Sequence, residues 1–317
     1  MRIVVLDDIE ISVENVNRLA RRGDVRVYSG IPASVDEIVA RAQGAEVILC
    51  SWTKVDEEVL DNLPDVRLIS VASTGVDHID VAAARVRGVT VCNVPSYATN
   101  AVAELALGLM LAVMRKIPSA DRHVRRTRTV DWQPFQGREL HGATLGVVGT
   151  GVIGRQVARL GHCLGMSLIG FDPQASEQLT RDVGLRYVPL HRVFEESDVV
   201  TLHVPLMPET EYMVDDDLLR LMPRTAVIIN TARARLIRQA ALCDALVEGR
   251  IAGAGLDAVD LEHESAARLL ELDQVVLTPH IGFNMREAVA NLTAICTENA
   301  VRFLDGDPQN IAEPPAH

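Results

Sequence analysis

The chain is poor in several features that define particular classes of protein. Lysine occurs only at Lys54 and Lys116 among 317 residues, so arginine carries the remaining positive charge, a bias that by itself indicates no function. The formal net charge is −12. A surface this acidic repels nucleic acid and anionic lipid, so we expect neither nucleic acid nor a membrane as a partner.

Cysteine pairs and long apolar runs are also missing. No two cysteines form a CxxC pair, which in a chain of this length is typical of buried free thiols in a reducing compartment and predicts no metal site. The apolar run Leu105–Met114 is too short to span a bilayer and predicts a buried helix. The first ten residues include Asp7, Asp8 and Glu10, where a signal peptide needs an apolar segment, so we expect a cytoplasmic protein. The cysteines are Cys50, Cys92, Cys163, Cys243 and Cys296.

Short apolar runs alternate with amphipathic segments along almost the whole chain. Strands that are apolar on both faces and separated by helices indicate parallel sheets covered on both sides. The predicted strands of the first half are Ile3–Leu6, Val25–Val27, Val47–Leu49, Leu68–Val71 and Val89–Cys92. Those of the second half are Thr144–Val148, Ser167–Phe171, Val199–Leu202, Ala226–Ile229, Ala252–Leu256 and Val275–Leu277. The pattern predicts an α/β protein with two doubly wound parallel-sheet domains.

Two positions mark where the chain passes between these domains. Pro95 ends the last strand of the first half, and the predicted helix Thr99–Met114 follows it. A second crossing is expected near Gly282–Met285, so that the long predicted helix Arg286–Leu304 rejoins the first domain. The expected domains are residues 1–97 with 285–317, and residues 98–284.

The segment Gly149–Gly154 (GTGVIG) follows a predicted strand and opens a predicted helix. Glycines at this spacing also occur in ordinary turns, but between a strand and a helix they indicate a dinucleotide-binding loop. Gly149 permits a tight turn, Gly151 lets a pyrophosphate approach the backbone, and Gly154 lets helix and strand pack closely. The helix N-terminus offers N–H groups to the phosphates, and Arg155 adds a positive charge.

Asp172 ends the next predicted strand, 18 residues after Gly154. A carboxylate at this distance accepts hydrogen bonds from the adenosine ribose and repels a 2′-phosphate. No arginine follows closely, so the sequence predicts NAD rather than NADP. Because Pro173 comes next, the alternative is an aspartate that only starts a turn.

Three more segments begin at the carboxyl ends of predicted strands, the edge where open α/β sheets bind ligands. They are Asn230–Arg233, Gly255–Asp257 with Glu262 beyond it, and Thr278–Gly282. With the glycine loop, Ser73–Asp80 (STGVDHID) and Ala101–Glu104 (AVAE), they resemble the D-2-hydroxyacid dehydrogenase family in order and spacing, over essentially the whole chain.

The resemblance implies a fold and a reaction. The fold is a Rossmann NAD-binding domain inserted into a smaller flavodoxin-like substrate domain, usually in a homodimer. The reaction is hydride transfer between NAD(H) and a small 2-hydroxy or 2-keto acid.

The resemblance also implies a catalytic trio. Arg233 matches the arginine that binds the substrate carboxylate with its planar fork and polarises the carbonyl. His280 matches the residue that exchanges a proton with the substrate oxygen. Glu262 matches the carboxylate that orients this histidine and favours its protonated form. A lone histidine or arginine is more often structural, and Glu262 is selected from its acidic neighbours by the family spacing alone.

Further contacts follow from the same resemblance. Thr74 matches the loop that approaches the nicotinamide, and Asp257 lies near the carboxamide. The implied cofactor-binding residues are Thr74, Gly149, Gly151, Val152, Ile153, Gly154, Arg155, Asp172, Val204, Thr210, Thr231, Ala232, Asp257 and Gly282. The implied substrate-binding residues are Ser73, Thr74, Gly75, Trp52 and Arg233.

Three positions depart from the family pattern. Ala234 replaces a glycine and is unfavourable only if the backbone there has positive φ, which would cost about 1 kcal/mol. Arg238 replaces an aspartate, so a helix N-cap is expected to be lost. His263 replaces the proline after the catalytic glutamate, so the loop Val259–Ser265 is expected to be more mobile or differently shaped.

The substrate is narrowed mainly by exclusion. Cys50 and Val71 stand where phosphoglycerate dehydrogenases carry arginines, and the chain lacks their long C-terminal extension, which disfavours 3-phosphoglycerate. Trp52 favours a compact substrate such as glyoxylate or hydroxypyruvate, unless it packs at a domain interface. Lys54 or Arg235 is a candidate for binding a second anionic group.

Two other functions use the same fold. NAD-sensing corepressors keep these residues, but no peptide-docking extension is evident here. Phosphite dehydrogenases typically place a lysine in the segment occupied by Ala72–Thr74, and formate dehydrogenases need different residues near the histidine. The sequence therefore favours the 2-hydroxyacid dehydrogenase.

Overall fold

The computed structural model describes residues 1–313, so residues 314–317 of the expected first domain lie outside the described residues. The chain forms two compact units. One contains residues 1–98 and the chain from Met285 onward, and the other contains Thr99–Asn284. Each unit is built on its own parallel sheet.

The elements are numbered along the chain. The strands are β1 (Arg2–Val5), β2 (Asp24–Val27), β3 (Val47–Cys50), β4 (Leu68–Val71), β5 (Thr90–Cys92), β6 (Thr144–Val148), β7 (Ser167–Phe171), β8 (Arg186–Tyr187), β9 (Val199–Leu202), β10 (Val227–Asn230), β11 (Gly253–Leu256) and β12 (Val275–Leu277). The α-helices are α1 (Val13–Ala20), α2 (Val35–Ala42), α3 (Glu57–Asp61), α4 (Val81–Val86), α5 (Thr99–Met114), α6 (Ile117–Thr127), α7 (Val152–Cys163), α8 (Glu177–Val183), α9 (Leu190–Glu196), α10 (Asp216–Leu221), α11 (Gln239–Val247), α12 (Ala266–Leu270) and α13 (Arg286–Leu304).

The first unit pairs its strands in the order β2-β1-β3-β4-β5, which is the order of flavodoxin-like sheets. Every residue of β3 and β4 is buried, as expected for strands covered on both faces. Helix α13 buries Leu292, Cys296 and Ala300 against one face. The Ser70 hydroxyl of β4 donates a 2.9 Å hydrogen bond to the Cys296 carbonyl, which ties this late helix to the sheet.

The second unit pairs its strands in the order β12-β11-β10-β9-β6-β7-β8. Counted from β6, this is the Rossmann order with one additional strand. The direction of winding reverses between β6 and β9, and ligands bind open α/β sheets at the carboxyl ends of strands at such a point. Helix α5 buries Ala106, Leu109 and Met110 against one face of the sheet, which confirms the predicted buried helix.

Two purely parallel sheets confirm the predicted fold class. The prediction missed only β8 among the strands, because two residues are too few to show a periodic pattern and Arg186 is exposed. Within the described residues, no helix is long and apolar enough to cross a membrane.

The prediction of five buried thiols is wrong for Cys163, which is exposed at the end of α7. The other four are buried and free. Burial raises the pKa of Cys92 to about 11 and that of Cys296 to about 12, so these thiols stay protonated and unreactive at neutral pH.

Candidate active site

All seven strands of the second unit run in one direction, so the segments leaving their carboxyl ends lie along one edge of the sheet. Predicted site residues follow six of these strands. They are Gly149–Gly154 after β6, Asp172 after β7, Val204 after β9, Thr231–Arg233 after β10, Asp257 after β11 and His280 after β12.

Backbone contacts shape the glycine loop after β6. Gly149 has a φ of +89°, and a Cβ there would lie 2.7 Å from the His203 carbonyl oxygen. A Cβ on Gly154 would lie 1.9 Å from the Gly149 carbonyl oxygen. A Cβ on Gly151 would meet no protein atom within 4 Å. The protein's own packing therefore requires glycine at 149 and 154, whereas the space beside Gly151 is open to a ligand.

Helix α7 starts at the glycine loop. It begins at Val152, and its N-cap, Gly151, provides no side-chain cap. Such a helix end offers its first N–H groups to a phosphate. The Arg155 Nε donates a 2.8 Å hydrogen bond to the Thr150 carbonyl, so this arginine also supports the loop from within.

Asp172 is tied to the same loop. Its Oδ2 accepts hydrogen bonds from the Thr150 backbone N–H at 2.6 Å and from the Thr150 hydroxyl at 3.1 Å. Its Oδ1 accepts one from the Gln174 backbone N–H at 2.8 Å. This is the contact of a turn-starting aspartate, the alternative role considered for Asp172. Oδ2 therefore holds the glycine loop, and only Oδ1 takes part in the turn.

Thr231 has a side chain that a bound ligand would satisfy. Its buried hydroxyl has no hydrogen-bond partner among residues 1–313. An unsatisfied buried hydroxyl costs about 1–3 kcal/mol, which a ligand that pairs with it would remove. With the open space at Gly151 and the uncapped start of α7, this edge fits a dinucleotide.

Thr210 and His203, which follow β9, are occupied differently. The Thr210 hydroxyl donates to the Pro205 carbonyl at 2.6 Å and accepts from the Met207 N–H at 2.8 Å, so it closes its own loop. Burial lowers the pKa of His203 to about 3. Its Nε2 lies 2.8 Å from the Thr201 hydroxyl. His203 is therefore neutral near pH 7 and is not a suitable acid.

Arg233 follows β10 on a segment held by a buried amide. The Asn230 side chain donates to the Arg233 carbonyl at 2.8 Å and accepts from the Ala232 N–H at 3.0 Å. Arg233 itself has extended backbone and is half-buried. Ala234 starts a 3-10 helix, so its φ is negative and the substitution for glycine causes no strain.

Arg238 and the two cations suggested for a second anionic group all have partners. Arg238 stands at the N-cap of α11 without a side-chain capping bond, as expected, and its guanidinium lies 5.4 Å from the ring centroid of Tyr212. Arg235 is paired with Glu211, and Lys54 with Asp56 at 3.0 Å. Both cations proposed for a second anionic group thus already have a carboxylate.

The loop that carries His280 is held by Asp257, which is buried at the end of β11. The Oδ1 of Asp257 accepts from the Thr278 hydroxyl at 2.5 Å and the Ile281 N–H at 2.8 Å, and its Oδ2 accepts from the Gly282 N–H at 2.8 Å. His280 has a φ of +56°, a conformation that non-glycine residues adopt only when their surroundings impose it. The three bonds to Asp257 provide that constraint.

Glu262 lies in the loop after β11 with its side chain exposed. Its backbone N–H donates to Asp260 Oδ1 at 3.0 Å. The loop is nevertheless anchored, because the buried Gln239 amide donates to the Asp260 carbonyl at 2.9 Å and accepts from the Asp260 N–H at 3.1 Å. The His263 ring bonds Ser265, so the missing proline leaves an ordered turn.

The predicted substrate residues of the first unit also follow strands. Trp52 lies in the loop after β3 and is 45% exposed. The buried Asp7 accepts hydrogen bonds from the backbone N–H groups of Ser51, Trp52 and Thr53 at 2.8–2.9 Å. Asp7 was missed by the sequence analysis, although an aspartate directly after a buried strand is a signal that could have found it.

Ser73, Thr74 and Gly75 follow β4. The Thr74 hydroxyl donates to the Val94 carbonyl at 2.9 Å, and its carbonyl accepts from the Asn93 side chain at 2.8 Å. The Ser73 hydroxyl bonds the Gly75 carbonyl. These side chains are therefore used to shape the loop, and a ligand would meet its backbone.

Comparison with known proteins identifies the family. The model of the D-isomer specific 2-hydroxyacid dehydrogenase NAD-binding domain matches residues 107–282. The chain belongs to this family. It is 38% identical to the glycerate dehydrogenase of Methylorubrum extorquens over 289 residues, which are 88% of each chain. It is also 38% identical to the glyoxylate reductase of Korarchaeum cryptofilum over 286 residues, covering 88% of this chain and 86% of that relative.

A solved structure gives the same result. The D-lactate dehydrogenase of Aquifex aeolicus, complexed with NAD and lactic acid, has a TM-score of 0.88 at 27% identity over 100% of both chains. The family, the enzyme class and the NAD cofactor predicted from the sequence are confirmed. The protein is an NAD-dependent 2-hydroxyacid dehydrogenase.

The open space at Gly151 gives a direct test of the cofactor loop. In Gly151→Ala, the dissociation constant for NADH should rise at least about tenfold, because the methyl group takes the place of a phosphate. The melting temperature should not fall, since the methyl group meets no protein atom. Gly108→Ala in α5, where an added Cβ also meets nothing within 4 Å, is the control and should bind NADH normally. Unchanged NADH affinity in Gly151→Ala would contradict this assignment.

The role of Asp7 predicts a loss of stability. Asp7→Ala leaves three backbone N–H groups without their acceptor and should lower the free energy of unfolding by about 3 kcal/mol. Urea denaturation measures this change. The neighbouring Asp8 is exposed and accepts one bond, from Gly30, so Asp8→Ala should cost less than about 1 kcal/mol. Equal losses in the two variants would show that Asp7 does not anchor the loop.

Proposed function

We propose that this dehydrogenase interconverts compact 2-keto acids, such as glyoxylate or hydroxypyruvate, with their 2-hydroxy acids, and that Arg233, Glu262 and His280 carry the reaction. The observation that supports the roles best is the placement of Arg233 and His280. They follow β10 and β12, on either side of β11, at the edge that carries the glycine loop. The two relatives named glycerate dehydrogenase and glyoxylate reductase support the substrate class.

The proposed reaction couples a hydride transfer to a proton transfer. A nicotinamide cofactor held at the glycine loop would supply the hydride chemistry at the carbonyl carbon of the substrate. His280 donates a proton to the carbonyl oxygen in the reductive direction and accepts it from the hydroxyl in reverse. Arg233 binds the substrate carboxylate through two N–H groups and stabilises negative charge on the reacting oxygen.

Two carboxylates act on His280 in this proposal. Asp257 fixes the backbone of the histidine loop through Thr278, Ile281 and Gly282, and the carbonyl of Asp257 accepts from the His280 N–H at 2.9 Å. Glu262 orients the imidazole and favours its protonated form, a role that the family spacing supports.

Proposed substrate contacts lie in the first unit at Trp52 and at the backbone of Ser73, Thr74 and Gly75. The ion pairs of Lys54 and Arg235 favour a substrate with a single negative charge. The remaining cofactor contacts of the proposal are Val152, Ile153, Val204, Ala232 and Gly282. The free cysteines fit a reducing compartment, so the cytoplasm stays the proposed location.

A second copy of the chain is the proposed partner. Helix α6 and the segment after it expose apolar side chains, with Val130 at 93% and Trp132 at 76% exposed. Residues 115–128 contain six lysines and arginines against one acidic residue, within a chain of net charge −12. A basic, apolar surface of this kind suits the acidic surface of a second copy.

A keto-acid screen tests the reaction. NADH oxidation should be detected with glyoxylate or hydroxypyruvate, and His280→Ala should lower kcat by at least about a hundredfold. The exposed His191→Ala serves as the control and should retain activity. Tight NADH binding without turnover of any 2-keto acid would favour the NAD-sensing alternative instead.

The role of Glu262 is tested separately from those of Arg233 and His280. In Glu262→Gln, the loss of reductive activity with rising pH should begin at lower pH than in the wild type, because the protonated histidine loses its carboxylate. Glu264→Gln is the matched control and should keep the wild-type profile. If both variants give wild-type pH profiles, Glu262 is not the orienting carboxylate.

The partner is tested by molar mass in solution. Trp132→Asp should shift the chain from dimer to monomer in light scattering, because it places a charge in the proposed interface. Val86 in α4 is 85% exposed and lies outside this surface, so Val86→Asp should leave the mass unchanged. A monomeric wild type would contradict the proposal.

A further inference from the structure

Behind the glycine loop, three side chains form a continuous chain of hydrogen bonds. The Tyr187 hydroxyl lies 2.8 Å from the Thr150 hydroxyl, and the Thr150 hydroxyl lies 3.1 Å from Asp172 Oδ2. The Thr150 backbone N–H reaches the same oxygen at 2.6 Å. Tyr187 is brought to this place by β8, whose residue Tyr187 pairs with Gly170 of β7. The short strand that the sequence analysis missed therefore supplies the end of this chain.

The chemistry of the three groups fixes the direction of the bonds. An ionised carboxylate only accepts hydrogen bonds, so the Thr150 hydroxyl gives its one hydrogen to Asp172. The Thr150 oxygen is then left to accept, and Tyr187 must be the donor. Each bond in such a chain polarises the next, so the tyrosine strengthens the bond from Thr150 to Asp172.

In this arrangement the two carboxylate oxygens of Asp172 accept hydrogen bonds from different donors. Oδ2 receives both donors of Thr150, whereas Oδ1 receives one backbone N–H, from Gln174. Oδ1 therefore keeps the greater capacity to accept from a ribose diol. Held at both ends, the carboxylate cannot turn away from a 2′-phosphate, and its charge would repel that group.

We propose that Tyr187 and Thr150 are specificity-determining residues for the cofactor, because they hold the Asp172 carboxylate in the orientation that selects NAD over NADP. The inference rests on the proposed contact between Asp172 and the adenosine ribose. Loss of the tyrosine hydroxyl frees the Thr150 hydroxyl to turn from Asp172 and donate to a 2′-phosphate. The variant should thus lose NADH affinity and lose discrimination at the same time.

Equilibrium binding of NADH and NADPH, followed by nicotinamide fluorescence, tests the proposal without turnover. In Tyr187→Phe, the dissociation constant for NADH should rise about three- to tenfold, the range expected for one hydrogen bond, while that for NADPH changes less or falls. Thr150→Val should shift the ratio of the two constants in the same direction. Thr150→Ser keeps the hydroxyl and should restore the wild-type ratio. Tyr28→Phe, in the first unit, is the control and should leave both constants unchanged.

Asp172→Asn distinguishes the role of Asp172 itself from the roles of Tyr187 and Thr150. If Asp172→Asn changes the ratio but Tyr187→Phe and Thr150→Val do not, the proposal for Tyr187 and Thr150 is overturned while the role of Asp172 stands. If Asp172→Asn leaves the ratio unchanged, the proposed ribose contact fails, and the inference fails with it. An equal loss of affinity for both cofactors in Tyr187→Phe would show general support of the loop and would also overturn the proposal.

Discussion

Aspartates at the carboxyl ends of strands hold the functional loops of both units in place. Asp7 after β1, Asp172 after β7 and Asp257 after β11 each accept at least two backbone N–H groups from loops that carry predicted site residues. A loop at a sheet edge has backbone donors that no neighbouring strand satisfies, and leaving them buried and unpaired is costly. One carboxylate satisfies several of them and thereby fixes the loop's conformation.

Hydrogen bonds from side chains to the backbone also explain how irregular loops hold predicted catalytic residues in a fixed conformation. His280 adopts a left-handed conformation on a loop without helix or strand structure, yet three bonds to one buried side chain constrain its neighbours. Asn230 and Gln239 do similar work for the Arg233 segment and the Asp260–Glu262 turn. Rigidity at this edge thus comes from side-chain to backbone bonds rather than from regular secondary structure.

Much of the fold could be predicted from the sequence, because buried parallel strands appear as uninterrupted apolar runs such as Val47–Cys50. The glycine loop could also be predicted, since only glycine tolerates the close contacts at positions 149 and 154. The supporting residues could not. Asp7 and Tyr187 act through partners more than 35 positions away, and the sequence does not show which residues those partners are. The pairing of Arg235 with Glu211 likewise depends on how two loops meet.

The split of the first unit along the chain has a consequence for synthesis on the ribosome. Residues 1–98 are made first, but the apolar face that buries Leu292, Cys296 and Ala300 stays uncovered until α13 has been synthesised. At about 5–20 residues per second, the roughly 200 residues between them take about 10–40 seconds. The contiguous second unit can complete its core within that interval, so the first unit is the last of the two to finish folding. Nascent chains of this enzyme therefore expose a hydrophobic sheet face for much of their synthesis, which makes them natural clients for chaperones that bind such surfaces.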